Sequence, residues 1–113
     1  MKKVNVLGTE YTIEFRDYES DELMKEKEID GYCDKSTHLI VISNKAPDCE
    51  VGNWGEVQKA VIRHEVIHAF LYESGLAASW EHTQRYGHDE TVVDWIAQQF
   101  PKLLQAFQQA EAI

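Results

Sequence analysis

A chain of 113 residues is expected to form one domain over 1–113 with one modest core, and an apolar content of 43% argues against general disorder. A net charge of −9, with Lys2-Lys3 as the only tight basic cluster, argues against a nucleic-acid partner, because phosphate contacts need grouped Lys and Arg. No apolar run approaches the roughly 18 residues of a membrane helix, and Asn5, Glu10 and Glu14 interrupt the N-terminal segment where a signal peptide would have its apolar core. The expectation is a cytoplasmic protein without a membrane partner, with Cys33 and Cys49 reduced.

The first predicted elements are two short strands, 4–7 and 11–16, joined by a turn at Gly8-Thr9-Glu10. Tyr11, Ile13 and Phe15 alternate with polar neighbours, as in a strand with one buried face. The charged stretch 17–27 reads as a short exposed helix or a loop. A second hairpin is predicted over 28–43, turning at Asp34-Lys35-Ser36-Thr37. Its second arm, His38 to Ile42, is apolar and β-branched, typical of a buried strand. An exposed edge at 38–43 would let an extended peptide add as a further strand.

A loop over 44–53, punctuated by Pro47 and Gly52, leads into a long helix from about Trp54 to Ser74. Asn53 can cap it, with Glu56 three residues on, and Gly75 suits a left-handed stop. The helix is apolar on most sides, which predicts burial. A loop over 76–88 is followed by a helix over about 89–111, which Pro101 is expected to kink or restart. The fold class implied is α+β: a small antiparallel sheet of three or four strands, followed by two main helices.

The chemical signal is His64-Glu65-Val66-Ile67-His68, an HExxH pattern inside the apolar helix. Four residues carry a helix about 40° past one full turn, so both imidazoles leave one face and can converge on one zinc ion. Glu65, beside the first ligand, can take a proton from an activated water without binding the ion. The bland alternative is two satisfied histidines and an incidental glutamate. Burying three ionisable residues, with Arg63 before them, would then bring a cost and no return.

Catalytic zinc takes three protein ligands and a water. The extended HExxHxxGxxH form is excluded, since Leu71 and Ser74 stand where Gly and His are required. The remaining candidates are His82, His88, Glu90, Asp94 and Glu73. Glu73 is turned off the histidine face. Glu90 and Asp94 share one face of the next helix, so Glu90 is the preferred ligand and Asp94 can accept from a ligand histidine's free ring nitrogen. His88 and His82 stay open as alternatives. Tyr86, His82 and His88 are candidate donors to a developing oxyanion. For Tyr86 the alternative is ordinary surface packing.

HEVIHAFLYESGL with a later ExxxD resembles the gluzincins, in which HExxH supplies two zinc ligands and a second helix supplies a glutamate. The small size and the segment GYCDKSTHLIVIS look like the compact bacterial and phage members, the minigluzincins and ImmA/IrrE-like peptidases. The resemblance covers roughly 29–97, and the loop 76–88 matches no family pattern. It implies a one-zinc peptidase acting on a peptide or protein substrate, with His64, His68 and Glu90 on the metal, Glu65 as general base and Asp94 orienting a histidine. The other readings are a non-catalytic zinc-binding module of the same fold, and a latent enzyme whose C-terminal segment (QAFQQAEAI) covers the cleft.

Overall fold

The computed structural model describes residues 1–45, 52–80 and 90–113, with residues 79, 80, 90–94 and 97 described by their backbone alone. Strands β1 (Lys2–Val6) and β2 (Thr9–Arg16) form an antiparallel hairpin. Leu7 and Gly8 turn it with φ of 53° and 95°, two consecutive positive values that match the twist of paired strands. Asn5 Oδ1 accepts from the Gly8 amide at 2.8 Å, which helps hold that turn. Both strands thus begin earlier than predicted, and the turn precedes Thr9. The predicted alternation holds: Tyr11 and Ile13 are fully buried, and Phe15 packs against the same core.

The charged stretch folds as a 3-10 turn (Tyr18–Ser20) and helix α1 (Glu22–Lys27). Asp21 starts α1: its Oδ1 accepts from the Met24 amide at 2.9 Å. Its other oxygen accepts from Arg16 Nη1 and from the Tyr32 hydroxyl, each at 2.9 Å. One carboxylate therefore ties α1 to β2 and to strand β3 (Gly31–Asp34).

Strands β3 and β4 (Leu39–Ser43) form the second predicted hairpin, antiparallel, with Asp34 Oδ1 accepting from the Ser36 amide at 2.9 Å in its turn. β4 also pairs with β2, and this pairing is parallel. The sheet order is β1-β2-β4-β3. The protein is thus α+β with a four-stranded sheet, but the sheet is mixed and not antiparallel. Residues 17–38 form a crossover long enough to bring β4 in alongside β2, and apolar periodicity carries no information about that pairing. A second correction follows. β4 lies inside the sheet, with Ile40, Val41 and Ile42 fully buried, so the exposed edge expected at 38–43 does not exist. Among the described residues, the sheet edges are β1 and β3.

Helix α2 (Trp54–Glu73) lies across this sheet. Asn53 Oδ1 accepts from the Glu56 amide at 3.3 Å, the expected cap, and Gly75 follows the helix with φ of 82°. Ile62, Val66, Ala69 and Phe70 join Tyr11, Ile13, Ile40 and Ile42 in one core cluster. Gly31 sets how closely α2 meets β3. A Cβ there would lie 3.0 Å from Val61 Cγ1 and 2.8 Å from the Val41 carbonyl oxygen. The helix is less buried than its composition predicts, since Ile67 and Tyr72 are 38% and 36% exposed.

Part of the predicted second loop is a short helix, α3 (Leu76–Trp80). Helix α4 (Glu90–Gln109) runs through Pro101 without a new start there. The lost backbone bond is offset on both sides. Trp95 Nε1 donates to Ser74 Oγ at 3.1 Å, while Leu103, Ala106 and Phe107 are buried in the core. Arg63 Nη1 donates to the Ala112 carbonyl at 2.6 Å, so α4 and its extension run antiparallel to α2. The C-terminal segment thus contributes Phe107, Ala110 and Ala112 to the core. Among the described residues, no helix is long and apolar enough to cross a membrane.

Burial alone would raise the Asp21 carboxyl, but the Met24 amide, Arg16 and Tyr32 together hold it below the usual carboxylate range. A depressed carboxyl contributes stability above its unfolded pKa and loses that contribution as pH falls through the folded value. Asp21→Ala should therefore cost about 2–3 kcal/mol in urea unfolding at pH 7, and much less below about pH 3. An equal loss at both pH values would contradict this assignment.

Candidate metal centre

α2 turns about 100° per residue, so residues 64, 65 and 68 divide between its outer face and its sheet-facing side. The core positions Ile62, Val66 and Ala69 fix the rotation of the helix against the sheet. His64 then points outward, its side chain 67% exposed, and His68 follows one turn later, half-buried. Glu65 falls at the boundary and is only 7% exposed.

The two ring nitrogens converge: His64 Nε2 and His68 Nε2 are 3.0 Å apart. Two nitrogens sharing zinc at 2.0–2.1 Å with a tetrahedral angle lie about 3.3 Å apart, so the separation is close to that of a zinc-bound pair. The same separation also lets one neutral ring donate to the other. Burial, then the His64 charge, lowers the His68 pKa and favours the neutral imidazole that binds metals. Ligand atoms of His64, Glu65 and His68 all lie within 4.8 Å of one another.

Glu65 has no hydrogen bond among the described residues, and His64 Nε2 stands 3.9 Å from its carboxylate. Burial pushes its pKa up to about 7. Its neighbour across the interface is Cys33 on β3, a free thiol pushed up to about 12 by burial and then by the Glu65 charge. A carboxyl that titrates near neutral pH beside two metal-competent nitrogens has the properties of a general base.

Glu73 is engaged elsewhere, as its helical position predicts. It accepts from the Tyr11 hydroxyl at 3.4 Å and lies 3.7 Å from His38 Nε2. Glu90 opens α4 and Asp94 lies one turn on, so the backbone of the predicted second helix is present. Their side chains lie outside the description, as do His82, Tyr86 and His88 altogether. Two features of the site escaped the sequence reading. Tyr72 stacks on His68 with ring centroids 6.2 Å apart, a contact that the four-residue spacing could have signalled. A cleft of about 490 Å³ also opens beside His64 and Glu65, bounded by Val57, Ala60 and Val61 of α2 and by residues 28–31. None of the C-terminal residues 105–113 lines it. No local sequence signal marks 28–31, since only the packing of β3 on α2 brings them there.

No family model, curated protein or solved structure matches this chain. The candidate site therefore stands on its own geometry.

A raised carboxyl stabilises the fold fully below its unfolded pKa, and that contribution is lost as pH rises through the folded value. In chelator-treated protein, Glu65→Gln should raise stability relative to wild type at pH 8.5 by up to about 3 kcal/mol more than at pH 5. Denaturant unfolding at the two pH values measures this. A difference that does not change with pH would mean that Glu65 is solvated.

Proposed function

We propose that this protein is a zinc-dependent peptidase that hydrolyses peptide bonds in peptide or protein substrates, with one zinc ion per chain. The observation that carries the reading is the pairing of two imidazoles at zinc-sharing distance with a buried carboxyl at their side that has no hydrogen bond among the described residues. In a gluzincin-like arrangement, His64, His68 and Glu90 hold the ion, and Asp94 accepts from the free ring nitrogen of a ligand histidine.

When bound, zinc supplies Lewis acidity, polarising the scissile carbonyl and making water easier to deprotonate. Glu65 takes the proton from the attacking water and delivers it to the leaving amine. A carboxyl poised near pH 7 can do both, because neither protonation state is far out of reach. Tyr86 is the proposed donor to the developing oxyanion. β3 borders the cleft and has one strand neighbour among the described residues, so an extended peptide would align along its other edge.

Retention of Glu65 favours catalysis over a zinc-binding module, since metal binding alone does not require it. Purified protein should contain about one zinc per chain by elemental analysis, and His64→Ala or His68→Ala should remove it. Glu65→Gln should retain zinc while abolishing hydrolysis of an unfolded protein such as casein. If zinc-loaded wild type leaves casein intact, the non-catalytic module is the better reading. Full zinc occupancy in either histidine variant would remove the site itself.

The third ligand has its own test. Glu90→Ala should weaken zinc binding severely, Asp94→Ala by roughly 10- to 100-fold, and His88→Ala should leave it nearly intact, as measured by competition with a chromogenic chelator. Loss of the metal in His88→Ala but not in Glu90→Ala would replace the gluzincin-like ligand set by a three-histidine one.

A further inference from the structure

The cleft beside His64 and Glu65 has a chemical character that the peptidase reading does not use. Its α2 wall is aliphatic, built from Val57, Ala60 and Val61, and Ile29 faces in from the segment before β3. That same segment adds two acidic residues to the lining, exposed Glu28 and half-buried Asp30. Among the described residues, neither is in an ion pair, and no Lys or Arg lines the cleft. Three of the neighbouring cations have partners elsewhere. Lys25 pairs with Glu19 at 3.5 Å, Lys59 pairs with Glu56 at 3.7 Å, and Arg63 donates to the Ala112 carbonyl. Lys27 is exposed and is not part of the lining. Glu65, more than nine-tenths buried and without a hydrogen bond among the described residues, also opens into this space.

We infer that this cleft is a specificity pocket for a lysine or arginine side chain of the peptide substrate, close to the scissile bond. The inference rests on the peptidase reading for its substrate class. An aliphatic wall ending in carboxylates matches a side chain with an apolar stem and a cationic head. An acidic side chain would meet like charge, and a purely apolar one would leave the two carboxylates desolvated without a partner. The cleft extends along α2 from His64 back to Val57, seven residues or about 10 Å of helix. A residue beside a bond held at the histidines can therefore lay its side chain along the groove. Gly31 keeps the groove in shape, since any side chain there would press on Val61.

The test uses an otherwise uncharged peptide with lysine walked through successive positions, and a matching set with norleucine in its place. Binding to full-length Glu65→Gln protein is followed by fluorescence anisotropy, with and without added zinc. At one position lysine or arginine should bind about 10- to 100-fold more tightly than norleucine, and the gap should narrow as salt rises. Glu28→Gln with Asp30→Asn should bring lysine and norleucine peptides to equal affinity. Equal binding of both sets at every position, no binding of either, or a preference that survives the double substitution would overturn the pocket. Hydrolysis of the same peptides by zinc-loaded wild type separates the two ideas. Cleavage without a lysine or arginine preference overturns the pocket and leaves the peptidase reading standing. A carboxylate-dependent lysine preference in binding, without cleavage, supports the pocket and rejects the peptidase.

Discussion

The rotation of α2 against the sheet is the constraint on which the site depends. Ile62, Val66, Ala69 and Phe70 must be buried, and that requirement fixes where every other residue of the helix points. His64 and His68 are left on the outer face with their nitrogens 3.0 Å apart. Glu65 is left at the boundary, mostly buried, opening into the cleft and without a hydrogen bond among the described residues. The same packing that stabilises the core thus holds a largely buried carboxyl with a raised pKa beside two imidazoles. Such a shift is common at functional sites and uncommon elsewhere.

The other wall of the cleft is held by a different device. Residues 28–30 lie between α1 and β3, and Asp21 ties both of these together through the Met24 amide, Tyr32 and Arg16. Glu14 adds a second carboxylate to Arg16, at 2.8 Å from its Nε. This network lies far from the histidines in sequence but sets where Glu28 and Asp30 stand relative to them. The stability of α1 and the shape of the cleft are therefore one physical problem. Gly31 solves the last part of it, because it alone lets the strand approach Val61 closely enough to close the floor.

α4 completes the core by packing against β1 and α2. Its Leu103, Ala106 and Phe107 pack beside Phe70 and Val66, and Lys2 Nζ donates to the Ala110 carbonyl, which binds the chain end to β1. Trp95 anchors the near end of α4 to Ser74, at the end of α2. The end that carries Glu90 thus emerges beside the C-terminal end of the HExxH helix. The proposal of Glu90 rests on the helix spacing of Glu90 and Asp94 and on the resemblance of the ExxxD pattern.

Spacing alone placed the two histidines and the glutamate, because helix geometry is local: i and i+4 share a face in any α-helix, whatever surrounds it. The Asn53 cap, the left-handed Gly75 and the alternation of Tyr11, Ile13 and Phe15 were legible for the same reason. The parallel pairing of β4 with β2, the free edge on β3 in place of 38–43, and the approach of Glu28 and Asp30 to His64 were not. Each depends on which distant segments pair. That choice is made by summed burial over the whole sheet, and no short window of sequence encodes it. The raised pKa of Glu65 belongs with them. The sequence supplied the carboxyl, but its desolvation arises only when β3 and its Cys33 close over α2.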